Sequence, residues 1–261
     1  MTNPKLKQII EYLAGLYMNK LEITGKKMLW EDFHRAMLGI YGKEPYRMPK
    51  SEFEEHKKEL EKIGIVESST ESEKFLEIDN DLPLGMNIRF YINAHDARSA
   101  REICKATVNG LKKQRFKIKT SGRATFPYDR FDNTVLYINK NDDVKSVIEF
   151  YQELTKSNET LFDNEVPLIT QKFAKGIGIA VSPEYEKREI LGNYFGYFKF
   201  TFNGLHSTVL NILFDEYRKR GISDLNQMTD LYSQALKQAG FNPEKPYLNL
   251  GMEDPLDLIG K

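Results

Sequence analysis

The stretch QRFKIKTSGRATFPYDRFDNTVLYINK, residues 114 to 140, holds two strand-like segments around a turn-rich middle. RFKIKT alternates basic with apolar residues, and TVLYIN is rich in β-branched and aromatic residues, the composition that suits a pleated, half-buried surface. The intervening loop carries Gly122 and Pro127, residues that favour turns over element interiors. In a strand, Lys117 and Lys119 fall on one face while Phe116 and Ile118 face the other way. The stretch is therefore either a sheet edge with a solvated basic face or one wall of a site that holds an anion.

Strand chemistry recurs on both sides of it. NIRFYIN at 87 to 93 alternates Ile88, Phe90 and Ile92 with Arg89, Tyr91 and Asn93, KFAKGIGIAVSP is extended and glycine-bearing, and YFKFTFNG is again strand-like. Helical spacing lies between these segments. Residues 4 to 20 place Leu6, Ile10, Leu13 and Tyr17 on one face, and 97 to 113 and 143 to 156 repeat apolar positions three or four apart. Segments 29 to 41 and 50 to 63 are also predicted helical, the second opening at Ser51 with Glu54 in capping-box spacing. Two further helices, near 205 to 220 and 224 to 239, follow, the latter ending at Gly240.

Strands and helices mix without a regular strand-helix-strand repeat, so the expected class is α+β: a mixed or antiparallel central sheet flanked by helices, with a helical N-terminal region. ESSTESEK at 67 to 74 is expected to be a loop or solvated hairpin turn. A soft boundary near residue 80 separates residues 1 to 80, a mostly helical region that is either a docking element or part of one core, from an α+β domain at 81 to 261.

Composition limits the function classes. With 261 residues, 40% hydrophobic and 29% charged, the chain has the make-up of a globular protein of one large domain or two small ones. Its 38 basic and 38 acidic residues cancel, which leaves no global field to recruit nucleic acid or an anionic membrane. Lys5, Lys7 and Glu11 interrupt the start of the chain, so neither a signal segment nor a membrane span is expected, and the chain is expected to be cytoplasmic. The single cysteine, Cys104, allows no internal disulfide and sits at an apolar helix position, where a core role is expected. None of GxGxxG, the phosphate-binding P-loop, HExxH or GxSxG occurs, and no cofactor is expected.

Chemistry must then come from scattered residues. Lys117 and Lys119 side by side would lower each other's pKa towards what a lysine base needs, or else be solvated lysines that discourage edge-to-edge aggregation. Arg130 and Asp132 share a face, so a carboxylate would hold a guanidinium fork that meets a phosphate, or the two form a structural surface pair. His95, at a strand end, is either a proton donor or a loop or capping histidine. Lys172 and Lys175 before Gly176 and Gly178 form either a basic rim or an ordinary strand bend. His34, His56 and His206 show no metal-ligand spacing, and no metal is expected.

The order of several short patterns resembles the HopA type III secretion effectors and the HopA-like domains of class V lanthipeptide synthetases. These are RFYIN at 89 to 93, Phe116 with Lys119, the block Arg130, Asp132, Val135, Leu136 and Tyr137, then Pro167 with Thr170, KGIGIAVSP, Phe195-Gly196, and PYLN at 246 to 249. Together they span roughly residues 87 to 250. One departure stands out: where the family places an arginine after the Phe-Gly pair, this chain has Lys199, which keeps the charge and loses the fork.

The resemblance implies a phosphothreonine or phosphoserine lyase that eliminates phosphate from a peptide to leave a dehydroamino acid, as in lanthipeptide maturation. Lys119 would be the base and His95 the acid. Arg130 oriented by Asp132, with Lys117, Lys199 and Lys172, would contact phosphate. A separate kinase partner would supply the phosphopeptide. The effector branch implies instead a non-catalytic protein that is secreted into a host cell and binds a host protein or secretion chaperone. Neither reading involves nucleic acid or a membrane.

Overall fold

In the computed structural model the described residues are 4–43, 48–64, 66–68, 75–82, 87–122, 129–183, 188–195, 201–221 and 224–258. In chain order the elements are α1 (Pro4–Thr24), α2 (Trp30–Met37), α3 (Lys50–Glu61), β1 (Val66–Ser68), β2 (Phe75–Asn80), β3 (Asn87–Ile92), α4 (Ala97–Gly110), β4 (Phe116–Ser121), β5 (Thr134–Asn139), α5 (Val144–Ser157), β6 (Gln171–Ala174), β7 (Ile177–Val181), β8 (Arg188–Ile190), β9 (Asn193–Phe195), α6 (Phe202–Arg220) and α7 (Leu225–Gln238). The fold is α+β. Contacts divide the chain into one unit of residues 1–37 and 181–252, and another of 38–180 and 253–261. Residue 80, the boundary suggested by sequence, ends β2 inside the second unit.

The second unit is built on a seven-stranded sheet in the order β1-β2-β4-β5-β3-β7-β6. The β1–β2, β2–β4, β4–β5, β3–β5 and β6–β7 pairs are antiparallel. Register aligns Ile78, Ile118, Leu136 and Phe90 across four strands, and all four side chains are buried. Each such side chain contributes roughly 1.5–3 kcal/mol relative to exposure, which is why one apolar face is enough to set this register. Tyr151 of α5 stacks on Phe90 at 5.8 Å and shares a 2.9 Å hydroxyl hydrogen bond with Thr107 of α4, so both helices cover that face. Asp96 and Asp143 begin these helices by accepting the backbone N–H groups of Ser99 and Ser146. Cys104 lies in this core, where burial pushes its thiol up to about 12.

The first unit contains α1, α2, α6, α7 and the β8–β9 hairpin. Its core gathers Leu13 and Tyr17 of α1, Phe33 of α2, Leu213 and Phe214 of α6, and Tyr232 of α7, with Phe214 stacked 4.9 Å from Tyr17 and 5.0 Å from Phe33. Thr201 caps α6 by accepting the N–H of Gly204, and Gly221 ends it in the left-handed region.

Several sequence expectations are corrected. β4 and β5 are interior strands, so the opening stretch is not a sheet edge. The residue before α3 is Pro49, with no side-chain cap, and the Ser51–Glu54 capping box does not form because Ser51 is already inside the helix. α2 is shorter than the predicted 29–41. Residues 202–204 belong to α6 rather than to a strand, because the cap at Thr201 starts the helix there. In ESSTESEK, Glu67 and Ser68 lie in β1, and 69–74 fall outside the described residues.

Candidate functional site

The sheet face opposite the core carries the charges. Register places Asp79, Lys117, Tyr137 and Arg89 in one row across β2, β4, β5 and β3, and Glu77, Lys119, Val135 and Tyr91 in the next. Residues paired in a ladder, or two apart in a strand, share a face, so these eight side chains project from one surface. Phe75 joins them two residues before Glu77.

The lysines on this face are ion-paired. Lys119 Nζ lies 2.6 Å from Glu77 Oε1, and Lys117 Nζ lies 2.9 Å from Asp79 Oδ2 and 3.5 Å from Glu77 Oε2. The hydrogen bond to Asp79, with the charges of Asp79 and Glu77 behind it, holds Lys117 above the ordinary lysine pKa despite partial burial. The lysine spacing alone predicts the opposite sign, because it sets the two ammonium groups against each other without the acids of β2. Lys119 also sits 5.6 Å from the centre of the Tyr137 ring, over which the Arg89 guanidinium lies at 5.0 Å. Such placements draw on the negative face of the phenol ring.

Arg130 and Asp132 form the bidentate pair expected of them. Nε and Nη2 of Arg130 donate to the two carboxylate oxygens of Asp132 at 2.6 and 3.0 Å, with side-chain exposures of 19% and 6%. The fork uses two of the five guanidinium N–H groups and fixes the plane of the rest. Arg130 also lies 5.7 Å from the Phe75 ring and within electrostatic reach of Tyr137 and Tyr91. Burial pushes the Tyr91 phenol well above its usual pKa. The next residue, Asn133, ties the start of β5 to the end of β3: its Oδ1 accepts the Ala94 N–H, and its Nδ2 donates to the Ala94 carbonyl and to Asn93 Oδ1.

The structure thus brings Lys117, Lys119, Arg130 and Asp132 onto one part of the sheet. Other candidates lie elsewhere. His95 pairs with Asp163 at 2.8 Å, a hydrogen bond that raises its pKa, and it is 62% exposed. Lys172 donates to the backbone and side-chain oxygens of Asn164 from β6, four strand spacings, about 19 Å, from β4. Lys175 donates to the Glu159 carbonyl and lines a groove with Gln152, Thr155, Lys156 and Phe173. Lys199 lies outside the described residues.

Sequence reasoning missed Glu77, Asp79, Arg89, Tyr91 and Tyr137 as site residues. The signal was the i, i+2 acids in FLEID, the complement of the i, i+2 lysines in FKIK, and the polar alternates of RFYIN. Among the described residues no group of three His, Cys, Asp or Glu side chains is placed to hold a metal ion, and no described helix is long and apolar enough to cross a membrane.

The profile of the HopA1 effector protein family matches residues 70–248, which include β2 through α7. The chain belongs to the HopA1 effector protein family. Two solved structures share its fold. An effector protein from Pseudomonas syringae pv. tomato strain DC3000 aligns at 15% identity and TM-score 0.57, covering 94% of this chain and 98% of that one. An effector protein from Pseudomonas syringae pv. syringae strain 61 aligns at 17% identity and TM-score 0.56, covering 94% and 96%. No curated protein gives a significant match.

Several of the HopA-like sequence patterns serve the scaffold in this member of the family. Thr170 Oγ1 donates to the Pro167 carbonyl and lies where a side chain on Gly178 would collide with it, which accounts for that threonine and that glycine together. Asn249 of PYLN donates to the Ser182 carbonyl, joining it to the end of KGIGIAVSP.

Proposed function

We propose that this HopA1-family protein is a lyase that binds a phosphothreonine or phosphoserine peptide against the polar face of β2, β4, β5 and β3 and eliminates its phosphate. The supporting observation is the gathering of Lys117, Lys119, Arg89 and Arg130 around Tyr137 on an interior part of the sheet, beside the carboxylates of Glu77, Asp79 and Asp132. Elimination needs a base for the α-proton, cations for the leaving phosphate, and a fixed peptide.

In this reading the Cα–H proton passes to the Lys119 amine, the Cα–Cβ bond becomes double, and the Cβ–O bond breaks so that phosphate leaves with the side-chain oxygen. Arg130, oriented by Asp132, and Lys117 and Arg89 neutralise the departing charge. The Tyr137 phenol, beside Lys119 and Arg89, is better placed than His95 to protonate the leaving oxygen. A kinase partner would supply the phosphopeptide.

A second reading is favoured by the ion pair between Lys119 and Glu77, since a lysine held as ammonium is a phosphate ligand and not a base. In that reading the protein binds a phosphorylated host protein, or a secretion chaperone, without turning it over, and acts after secretion into a host cell. Incubation with phosphothreonine and phosphoserine peptides followed by mass spectrometry separates the two: a dehydrated residue means a lyase, and an unchanged bound peptide means a binding protein.

A further inference from the structure

We infer that Glu77 is the specificity-determining residue of this face: it occupies the lysine pair as an internal carboxylate, so that only a ligand group carrying more than one negative charge displaces it. The inference rests on the reading of this face as a phosphate site and adds which anions it admits.

Glu77 alone among the described acids bridges both lysines, with Oε1 2.6 Å from Lys119 and Oε2 3.5 Å from Lys117. Its side chain is 12% exposed and each lysine side chain is 27% exposed, so the three lie where a shared anion position is screened less than at the surface. Lys117 keeps Asp79 when Glu77 moves, whereas Lys119 has no second carboxylate within ion-pair distance among the described residues. The nearby Arg130 is fixed by Asp132, and Arg89 lies over Tyr137. The group that must be exchanged for an incoming anion is therefore the Glu77 carboxylate.

A peptide glutamate or aspartate in that position would exchange one negative charge for one and gain nothing electrostatically. A phosphate monoester carries about −1.5 to −2 at neutral pH and three acceptor oxygens, so it gains charge and hydrogen bonds over the carboxylate it displaces.

The test is binding of N-acetyl-threonine amide, its phosphate ester and N-acetyl-glutamate amide to the full chain, followed by NMR titration at fixed salt, for wild type, Glu77→Gln, Lys119→Ala and the double variant. The wild type is expected to bind the phosphate ester and not the glutamate. Glu77→Gln is expected to bind the phosphate ester roughly tenfold more tightly and to gain binding to the glutamate, with both gains lost when Lys119 is also removed. Phosphate binding no tighter in Glu77→Gln, or equal binding of both ligands by the wild type, overturns the inference. Should Glu77→Gln not fold, the wild type alone decides: its affinity for the ester must fall as pH drops through the second phosphate ionisation near about 6, and a flat profile overturns the inference. Elimination is scored separately by mass. Tightening without any elimination removes the lyase reading and keeps this one, and elimination without tightening does the reverse.

Discussion

Glu77 and Lys119 stand directly opposite each other in the β2–β4 ladder, and their charged ends meet at 2.6 Å. The pair sits on an interior strand whose other face is a packed core, so the lysine is held by neighbours on both sides rather than waving from an edge. Lys119→Ala is expected to change the unfolding free energy by no more than about 1 kcal/mol, because Glu77 keeps Lys117 and a partly exposed ion pair contributes little net stability. Urea unfolding checks this, and a near-native midpoint makes any loss of function attributable to the missing amino group.

Asp132→Ala behaves differently. It leaves the Arg130 guanidinium partly buried without its bidentate partner, which costs about 3 kcal/mol. Asp132→Asn keeps one acceptor and is expected to lose less. Denaturant unfolding of the two variants measures the difference, and equal stability would mean that the pair is merely a surface contact.

Gly176 joins β6 to β7 at φ +63°, and a side chain there would come within 2.2 Å of the Asp163 carbonyl. Its own carbonyl accepts the Asn93 N–H at 2.8 Å, so the turn is tied to the end of β3. Gly176→Ala is expected to destabilise by about 3 kcal/mol or more, since neither backbone can retreat without losing that bond. Thermal unfolding measures the cost.

His206 is fully buried between Phe202 and Phe241, and its Nε2–H donates to the Pro246 carbonyl. Burial lowers its pKa to about 3, against an ordinary value near 6.5. In that window the unfolded chain binds a proton that the folded chain refuses, so stability is full above about pH 6.5 and declines as pH falls towards 3, by up to about 1.4 kcal/mol per unit. His56, lowered to about 4 by burial and by Arg101, acts in the same direction. Unfolding free energies between pH 7 and 4 are expected to fall less steeply in His206→Phe than in the wild type. Parallel slopes would contradict the assignment.

Much of the fold was legible because period and punctuation agreed. The alternation in NIRFYIN, FKIKT and TVLYIN gave three strands, and the spacing of Leu6, Ile10, Leu13 and Tyr17 gave α1. What failed was set by tertiary context. Strand order is not written in a strand's own sequence, so the lysines of β4 looked like edge protection until β2 was found beside them. The same blindness reversed the Lys117 pKa, because Glu77 and Asp79 are forty residues away in sequence and directly across the ladder in space. Arg130 and Asp132, only two residues apart, were legible as a pair for the converse reason.

The most direct test of the phosphate-elimination account is mass analysis of a phosphothreonine peptide incubated with the wild-type protein and with Lys119→Ala. The account predicts a product that has lost the phosphate together with the threonine oxygen, formed by the wild type and absent with Lys119→Ala. A wild-type protein that leaves the peptide intact, or releases phosphate and leaves threonine behind, would contradict it.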